Sequence, residues 1–120
     1  MRRLMILVSV LALMAGGAYA QTSDLMITEY LEGASNNKAI EIFNGTEDII
    51  DLGAYSLERY SNGSTTAAVI PLDSYDLYPG ACYVVANPSS EAAILAVADQ
   101  TDGDINFNGN DAIVPVSYTH

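Results

Sequence analysis

The sequence is poor in basic residues, contains no tryptophan and has one cysteine, Cys82, and one histidine, which is the last residue. A lone cysteine cannot form an internal disulfide, so the fold must be held together by packing alone. No nucleophile–base pair is visible, so the usual parts of a catalytic site are missing and we expect no catalysis. Cys82 lies in the apolar run 81–86, and we interpret it as a buried, inert residue of a fully buried strand.

The first twenty residues have the three-part layout of a secretory signal peptide. Arg2 and Arg3 precede an apolar run over residues 4–14, and small residues occupy positions 18 and 20. The run is shorter than the roughly 20 residues that a membrane-spanning helix needs, which argues against an anchor. We therefore predict cleavage after Ala20 and a secreted, extracellular protein, with the periplasm as the alternative location.

Negatively charged residues dominate the part of the chain that remains after cleavage of the signal peptide. Residues 21–120 carry fifteen acidic residues against two basic ones, Lys38 and Arg59, which gives a net charge of −13. Such a surface repels phosphate backbones, so we expect no direct binding of nucleic acid. The remaining length suits a single small domain.

Short β-prone segments alternate with turn signals along this part of the chain. Residues 39–43 alternate, with two isoleucines on one face and Glu41 on the other. Asn-Gly pairs follow at 44–45 and 62–63, where we expect turns with positive φ. We predict a short helix near residues 88–98, begun by an Asn-Pro pair. About six short strands, spaced roughly ten residues apart, indicate an all-β sandwich.

Four stretches carry a family resemblance. They are ITEYLEGASNNKAIEIFNGT (27–46), DLGAYSL (51–57), LYPG (77–80) and FNGNDAIV (107–114). Together they resemble the lamin tail domain as it occurs in secreted bacterial proteins. The resemblance implies an immunoglobulin-like β-sandwich over residues 21–114. It also implies a module that is usually joined to another protein, in bacteria to extracellular nucleases, phosphatases and other hydrolases.

The first of these stretches contains the residues that we interpret as a structural or recognition loop: Glu29, Glu32, Asn36, Asn37, Lys38 and Glu41. The two glutamates at 29 and 41 are expected in opposite strands on either side of the loop. The two asparagines are expected to bond local backbone groups. We expect Lys38 to form a surface ion pair with a neighbouring glutamate, a contact of about 0–1 kcal/mol.

A partial calcium signature lies near the C-terminus. Residues 104–109 read Asp-x-Asn-x-Asn-Gly, the first half of a calcium loop. Pro115 stands where the second acidic ligand is expected, so the alternative is a strand that leads into an Asn-Gly turn. The weak candidate ligands are Asp102, Asp104, Asn106 and Asn108. Our expectation is no cofactor, with calcium as the alternative.

The chain ends in residues that do not continue the pattern. Pro115 would remove a ladder donor from a central strand, and Val-Ser-Tyr-Thr-His follows over 116–120. One reading frame of a common transposon-end sequencing adapter encodes these five residues. We therefore expect residues 115–120 to be a non-native tail and the sandwich to be incomplete at its C-terminus.

Three functions stay open at this stage. The preferred one is a secreted, non-catalytic module that attaches a larger extracellular protein, of which it is the N-terminal fragment, to a protein or cell surface. The second is an accessory domain of a secreted nuclease or phosphatase-type hydrolase whose catalytic part is missing here. The third is a calcium-dependent adhesion module.

Overall fold

A computed structural model describes residues 24–118; the predicted signal peptide and its cleavage site lie outside them. Nine strands form within this range: β1 (Leu25–Glu32), β2 (Lys38–Asn44), β3 (Ile50–Asp51), β4 (Tyr55–Tyr60), β5 (Ala67–Pro71), β6 (Asp76–Leu77), β7 (Cys82–Ala86), β8 (Gln100–Thr101) and β9 (Ala112–Ser117). One α-helix, α1 (Ala92–Leu95), and two 3₁₀ helices, Leu52–Ala54 and Ser61–Gly63, complete the elements. No helix in this range is long and apolar enough to cross a membrane.

The strands form two main sheets and a small ribbon. The four-stranded sheet has the order β1-β2-β7-β8, the three-stranded sheet has the order β5-β4-β9, and β3 pairs with β6. All neighbours are antiparallel except β7 and β8, which are parallel. The predicted all-β sandwich is confirmed.

The core lies between the two main sheets. Its fully buried side chains include Ile40 and Ile42 from β2 and Leu57 from β4. Phe107 joins them from the segment between β8 and β9. Each such side chain contributes about 1.5–3 kcal/mol by leaving water. The predicted alternation of β2 is confirmed, because Glu41 is only half-buried on the opposite face.

The short helix predicted near residues 88–98 is confirmed as α1, but its expected start at the Asn-Pro pair is wrong, because α1 begins at Ala92. Asn87 does not cap it; its side-chain amide donates to the carbonyl of Ile105 at 3.0 Å, and its Oδ1 accepts from the backbone of Ser89 at 2.8 Å. Downstream, the amide of Asp99 donates to the carbonyl of Val84 at 2.8 Å. Because the N–H of Asn87 also donates to the carbonyl of Lys38 at 2.9 Å, both ends of the segment are bonded to the four-stranded sheet.

The strand break expected at Pro115 is also wrong. β9 runs through Pro115, which pairs with Leu57 of β4, and continues to Ser117 opposite Tyr55. β9 lies at the edge of its sheet, and an edge strand tolerates proline because one side of its ladder has no partner strand. The non-native origin of residues 115–120 stays a prediction.

Two predicted Asn-Gly turns form by different means. Asn62 and Gly63 have φ of 51° and 76°, the left-handed backbone that the pair was predicted to adopt. Gly45, by contrast, does not have a positive φ, so that expectation is wrong. There the side chain of Asn44 makes the turn, because its Oδ1 accepts from the backbone N–H of Thr46 at 2.9 Å.

One buried hydroxyl in the core of the three-stranded sheet lacks a partner, and this gives a stability prediction. The Oγ of Ser56 has no hydrogen-bond partner among residues 24–118. We expect Ser56→Ala to raise the free energy of unfolding by about 1 kcal/mol, because it removes an unsatisfied polar group. Urea denaturation measures the change. Ser90→Ala is the control and should be destabilising, since the Ser90 hydroxyl donates to the carbonyl of Asn36 at 2.8 Å. A loss of stability in Ser56→Ala would contradict the prediction.

Candidate functional site

A β-bulge in β1 decides which side chains reach the outer face of the four-stranded sheet. Ile27 pairs with Ile42 and Glu29 pairs with Glu41, so Thr28 is the extra residue between them. The bulge sets both Thr28 and Glu29 against Glu41, and the Thr28 hydroxyl donates to Oε1 of Glu41 at 2.9 Å. The predicted placement of the two glutamates in opposite strands is confirmed, and the register makes them direct neighbours.

A groove with a volume of about 340 Å³ runs over this outer face, beside the chain around α1 (residues 91–98, the α1 segment). It is lined by Glu29, Leu31, Ala39, Glu41, Val84, Ala93, Ile94 and Val97. Two of its apolar side chains are well exposed, Leu31 at 38% and Val97 at 64%. The site thus combines exposed apolar walls with two carboxylates, an arrangement that can hold an amphipathic ligand.

Cys82 lies on the same strand as Val84 and is exposed, so the interpretation of it as buried is wrong. β7 alternates: Tyr83 and Val85 enter the core, while Cys82 and Val84 lie on the less buried outer face. Although the residue is exposed, desolvation of its thiol by neighbouring atoms and then the Glu41 carboxylate raise its pKa. A raised pKa leaves little thiolate at neutral pH, which makes Cys82 a poor nucleophile.

Lys38 does not form the predicted surface ion pair. Its side chain is buried, its Nζ donates to the carbonyl of Gly33 at 3.0 Å, and no carboxylate of residues 24–118 lies within ion-pair distance. The reason is the two-residue period of a strand. Position 38 shares the inward face of Ile40 and Ile42, whereas Glu41 lies on the outward face. Lys38 therefore holds the loop and leaves the two groove carboxylates without a cation.

The asparagines bond local backbone groups as predicted, through their own backbone: the Asn37 carbonyl accepts from the N–H of Gly33 at 2.7 Å, and the Asn36 carbonyl accepts from the N–H of Lys38 at 2.8 Å. The side chain of Asn37 instead bonds a distant residue. Oδ1 of Asn37 accepts from the backbone N–H of Glu91 at 2.8 Å, and its Nδ2 donates to Oε2 of Glu91 at 3.4 Å. The Asn36 carbonyl accepts from the Ser90 hydroxyl at 2.8 Å. These bonds fasten the residues just before α1 to the loop, so they position one wall of the groove.

Glu32 lies outside the groove. It stands at the end of β1, opposite Lys38 in register, and its carboxylate accepts from the Tyr30 hydroxyl at 3.4 Å. Burial of the ring and then the charge of Glu32 raise the pKa of Tyr30 to about 12. Tyr30 packs on Phe107 with ring centroids 4.1 Å apart. By accepting the hydrogen bond of the Tyr30 hydroxyl, Glu32 helps to hold this packing contact.

The candidate calcium ligands lie in the irregular segment between β8 and β9, where Ile105 and Phe107 are fully buried between them. Asp102 accepts from the backbone N–H of Asp104 at 2.8 Å, and the Asp104 carboxylate lies 3.8 Å from the guanidinium of Arg59. Within residues 24–118, no three His, Cys, Asp or Glu side chains form a group that could hold a metal ion. Of the alternative, the turn at 108–111 forms, but no strand precedes it: β8 ends at Thr101, and the segment between them contains a further turn at 102–105.

We predict that millimolar calcium leaves the Tm of the chain unchanged. The guanidinium of Arg59 already lies against the carboxylates of Asp104 and Asp111, and it supplies the positive charge that a calcium ion would otherwise bring. A thermal melt with calcium, with magnesium and with chelator measures this. Arg59→Gln, which removes the internal cation, is the comparison variant. A calcium-specific rise in the Tm of the unsubstituted chain would contradict the prediction.

Sequence reasoning missed the apolar walls of the groove. Leu31 was not singled out, although it pairs with Ala39 two positions from Glu41 and therefore shares its face. Val84 was hidden inside an unbroken apolar run, which gives no alternation to assign its face. Ile94 and Val97 reach the groove only because the α1 segment folds back across the sheet, which no local pattern shows.

Comparison with known proteins agrees with this architecture. A search of curated proteins finds no match to the chain. The family model of the lamin tail domain matches residues 18–116, which covers most of the chain and every strand of both sheets except the last residue of β9. This family has an immunoglobulin-like β-sandwich fold, as the two packed sheets do. The chain therefore belongs to the lamin tail domain family.

Proposed function

We propose that this chain is a secreted, non-catalytic attachment module that binds a segment of a partner protein in the groove between β1, β2, β7 and the α1 segment. The observation that supports this most strongly is the exposure of apolar side chains around the groove carboxylates. Exposed apolar surface next to polar groups is typical of protein interaction sites.

The groove is built on parts of the fold that hold their shape. Its floor consists of β2 and β7, the central strands of the four-stranded sheet, together with the edge strand β1, and its α1 wall is fastened through Asn37 and Glu91. A site preformed in this way saves the cost of ordering loops on binding. This supports binding of a ligand without rearrangement of the chain.

The proposal includes export of the chain and action outside the cell. The signal-peptide layout of residues 1–20 supports export, and the acidic composition argues against nucleic acid as the direct partner. The resemblance to bacterial secreted modules supports a role in attaching a larger extracellular protein to a protein or cell surface. A catalytic role for the chain itself has no supporting nucleophile–base pair among the groove residues.

Site-specific photocrosslinking tests the proposed function. A photoreactive phenylalanine analogue replaces Val84 in the groove, and a second version of the chain carries it at Val69, an exposed position on the three-stranded sheet. Both versions are produced and exported in the native host and irradiated there. We expect one discrete crosslinked partner from position 84 and none from position 69.

The outcome is read from the mass of the product and the peptide to which position 84 is attached. Crosslinks of equal yield and identity from both positions would show contact by collision and would contradict the proposal. Absence of any product from position 84 would contradict it as well.

A further inference from the structure

We propose that the groove recognises an arginine side chain flanked by apolar residues in an extended segment of the partner protein. This deepens the proposed function and rests on it. The inference is drawn from three properties of the groove: two adjacent carboxylates, the lack of a cation from residues 24–118 beside them, and apolar side chains on the same face.

The first property is the pair of adjacent carboxylates in the groove. Glu29 and Glu41 are cross-strand partners, and side chains in such pairs start from Cβ atoms about 4.5–5.5 Å apart. Two like charges in this position destabilise a sheet unless a cation lies between them. The Thr28 hydroxyl, which the bulge turns toward Glu41, donates only one neutral hydrogen bond at 2.9 Å. The pair therefore gains most from a ligand that brings positive charge.

No basic side chain within residues 24–118 serves this purpose. Lys38 and Arg59 are the two basic residues of that range. The ammonium of Lys38 is bound to the Gly33 carbonyl on the opposite side of β2, and Arg59 is held by Asp104 and Asp111. Residues 24–118 thus contain no free cation for the groove, and we infer that the complementary charge comes from the partner protein.

The walls favour arginine as the source of that charge. Val84 pairs with Glu41, and Leu31 and Ala39 form the next cross-strand pair on the same face of the sheet. These residues can cover the methylene stem of a long cationic side chain while its head reaches the carboxylates. A guanidinium has several N–H donors in a flat fork and can bond both carboxylates at once, which the compact ammonium of lysine does less well.

The experiment measures binding of three labelled peptides to the purified chain by fluorescence anisotropy. The first is a short peptide of alternating valine and arginine. In the second, citrulline replaces arginine, which keeps the shape and removes the charge. In the third, lysine replaces arginine. We expect the arginine peptide to bind at least about tenfold more tightly than the citrulline peptide, with lysine in between.

Two double variants separate a local site from general attraction to an acidic protein. Glu29→Gln with Glu41→Gln removes the groove charges, and Asp73→Asn with Asp76→Asn removes two exposed charges outside the groove lining. Both variants change the net charge by the same amount. We expect the first to weaken the arginine peptide about tenfold and the second less than about twofold.

Equal affinity for the arginine and citrulline peptides would overturn the inference, and so would equal losses in the two double variants or no binding of the arginine peptide. The variant Val84→Ser, which makes one apolar wall of the groove polar, tests the proposed function separately from arginine recognition. If it weakens the arginine and citrulline peptides equally while the glutamine variant has no effect, the groove binds apolar segments and arginine recognition is wrong.

Discussion

Replacing Asp111 with alanine is expected to lower the free energy of unfolding by about 3–5 kcal/mol, the range for removing one partner of a buried ion pair. Its carboxylate is 2% exposed and lies 3.5 Å from the guanidinium of Arg59. It also accepts from the backbone N–H groups of Asn62 at 3.1 Å and Asn108 at 3.3 Å. The substitution therefore loosens two turns at once and leaves a cation that is only 12% exposed without its closest carboxylate.

Urea denaturation monitored by tyrosine fluorescence measures this effect. Asp104→Ala is the matched control, because it removes a carboxylate from the same guanidinium at 3.8 Å but from a position that is 52% exposed. We expect the control to cost less than about 1 kcal/mol, as exposed ion pairs do. Equal losses in the two variants would show that burial of Asp111 does not set its contribution.

The second large effect is expected at Asn44, whose side chain is fully buried. Its Nδ2 donates to the carbonyls of Asp48 at 2.7 Å and Leu77 at 2.8 Å, and its Oδ1 accepts from the backbone N–H and hydroxyl of Thr46. Asn44→Ala leaves these groups unpaired, with a cost of about 1–3 kcal/mol for each group that stays dry. We expect a total loss of about 3 kcal/mol, because water can reach the half-buried turn.

Thermal and urea unfolding of Asn44→Ala measure the loss, and Thr46→Val is the control. The control removes a hydroxyl from the same turn but leaves both carbonyl contacts of Nδ2 in place, so about 1 kcal/mol is expected. If Thr46→Val proves as damaging as Asn44→Ala, the turn depends on its hydroxyl network and the link to Leu77 contributes little.

The parts of the fold that sequence predicted are those with a local cause. The two-residue period of residues 39–43 gave the correct faces of β2, and the Asn62-Gly63 pair gave its turn, because both depend on neighbouring residues alone. The spacing of the strands indicated a sandwich, and the family resemblance supplied its immunoglobulin-like type. The placement of Glu29 opposite Glu41 followed from the strands on either side of the loop. The two carboxylates form a candidate site only together with the apolar walls of the groove, which sequence did not predict.

The parts that sequence did not predict depend on contacts between distant residues. Asn37 bonds Glu91, 54 positions away, and Arg59 bonds Asp111, 52 positions away; neither pair has a local signature. The length of α1 is set by its ties to the sheet, which override the helix propensity of an alanine-rich segment. Cys82 was misassigned because an unbroken apolar run does not show which face is covered.

The edges of the two sheets have a consequence for how the protein behaves when it is crowded. Among residues 24–118, four strands of the two main sheets have one unpaired side: β1, β8, β5 and β9. The bulge at Thr28 interrupts β1, β8 has two residues, β5 ends at Pro71, and Pro115 stands within β9. None of these edges offers a long, unbroken row of hydrogen-bonding groups to another molecule. A chain of this design can be displayed densely on a surface, or fused in tandem copies, without neighbouring copies joining strand to strand into fibrils.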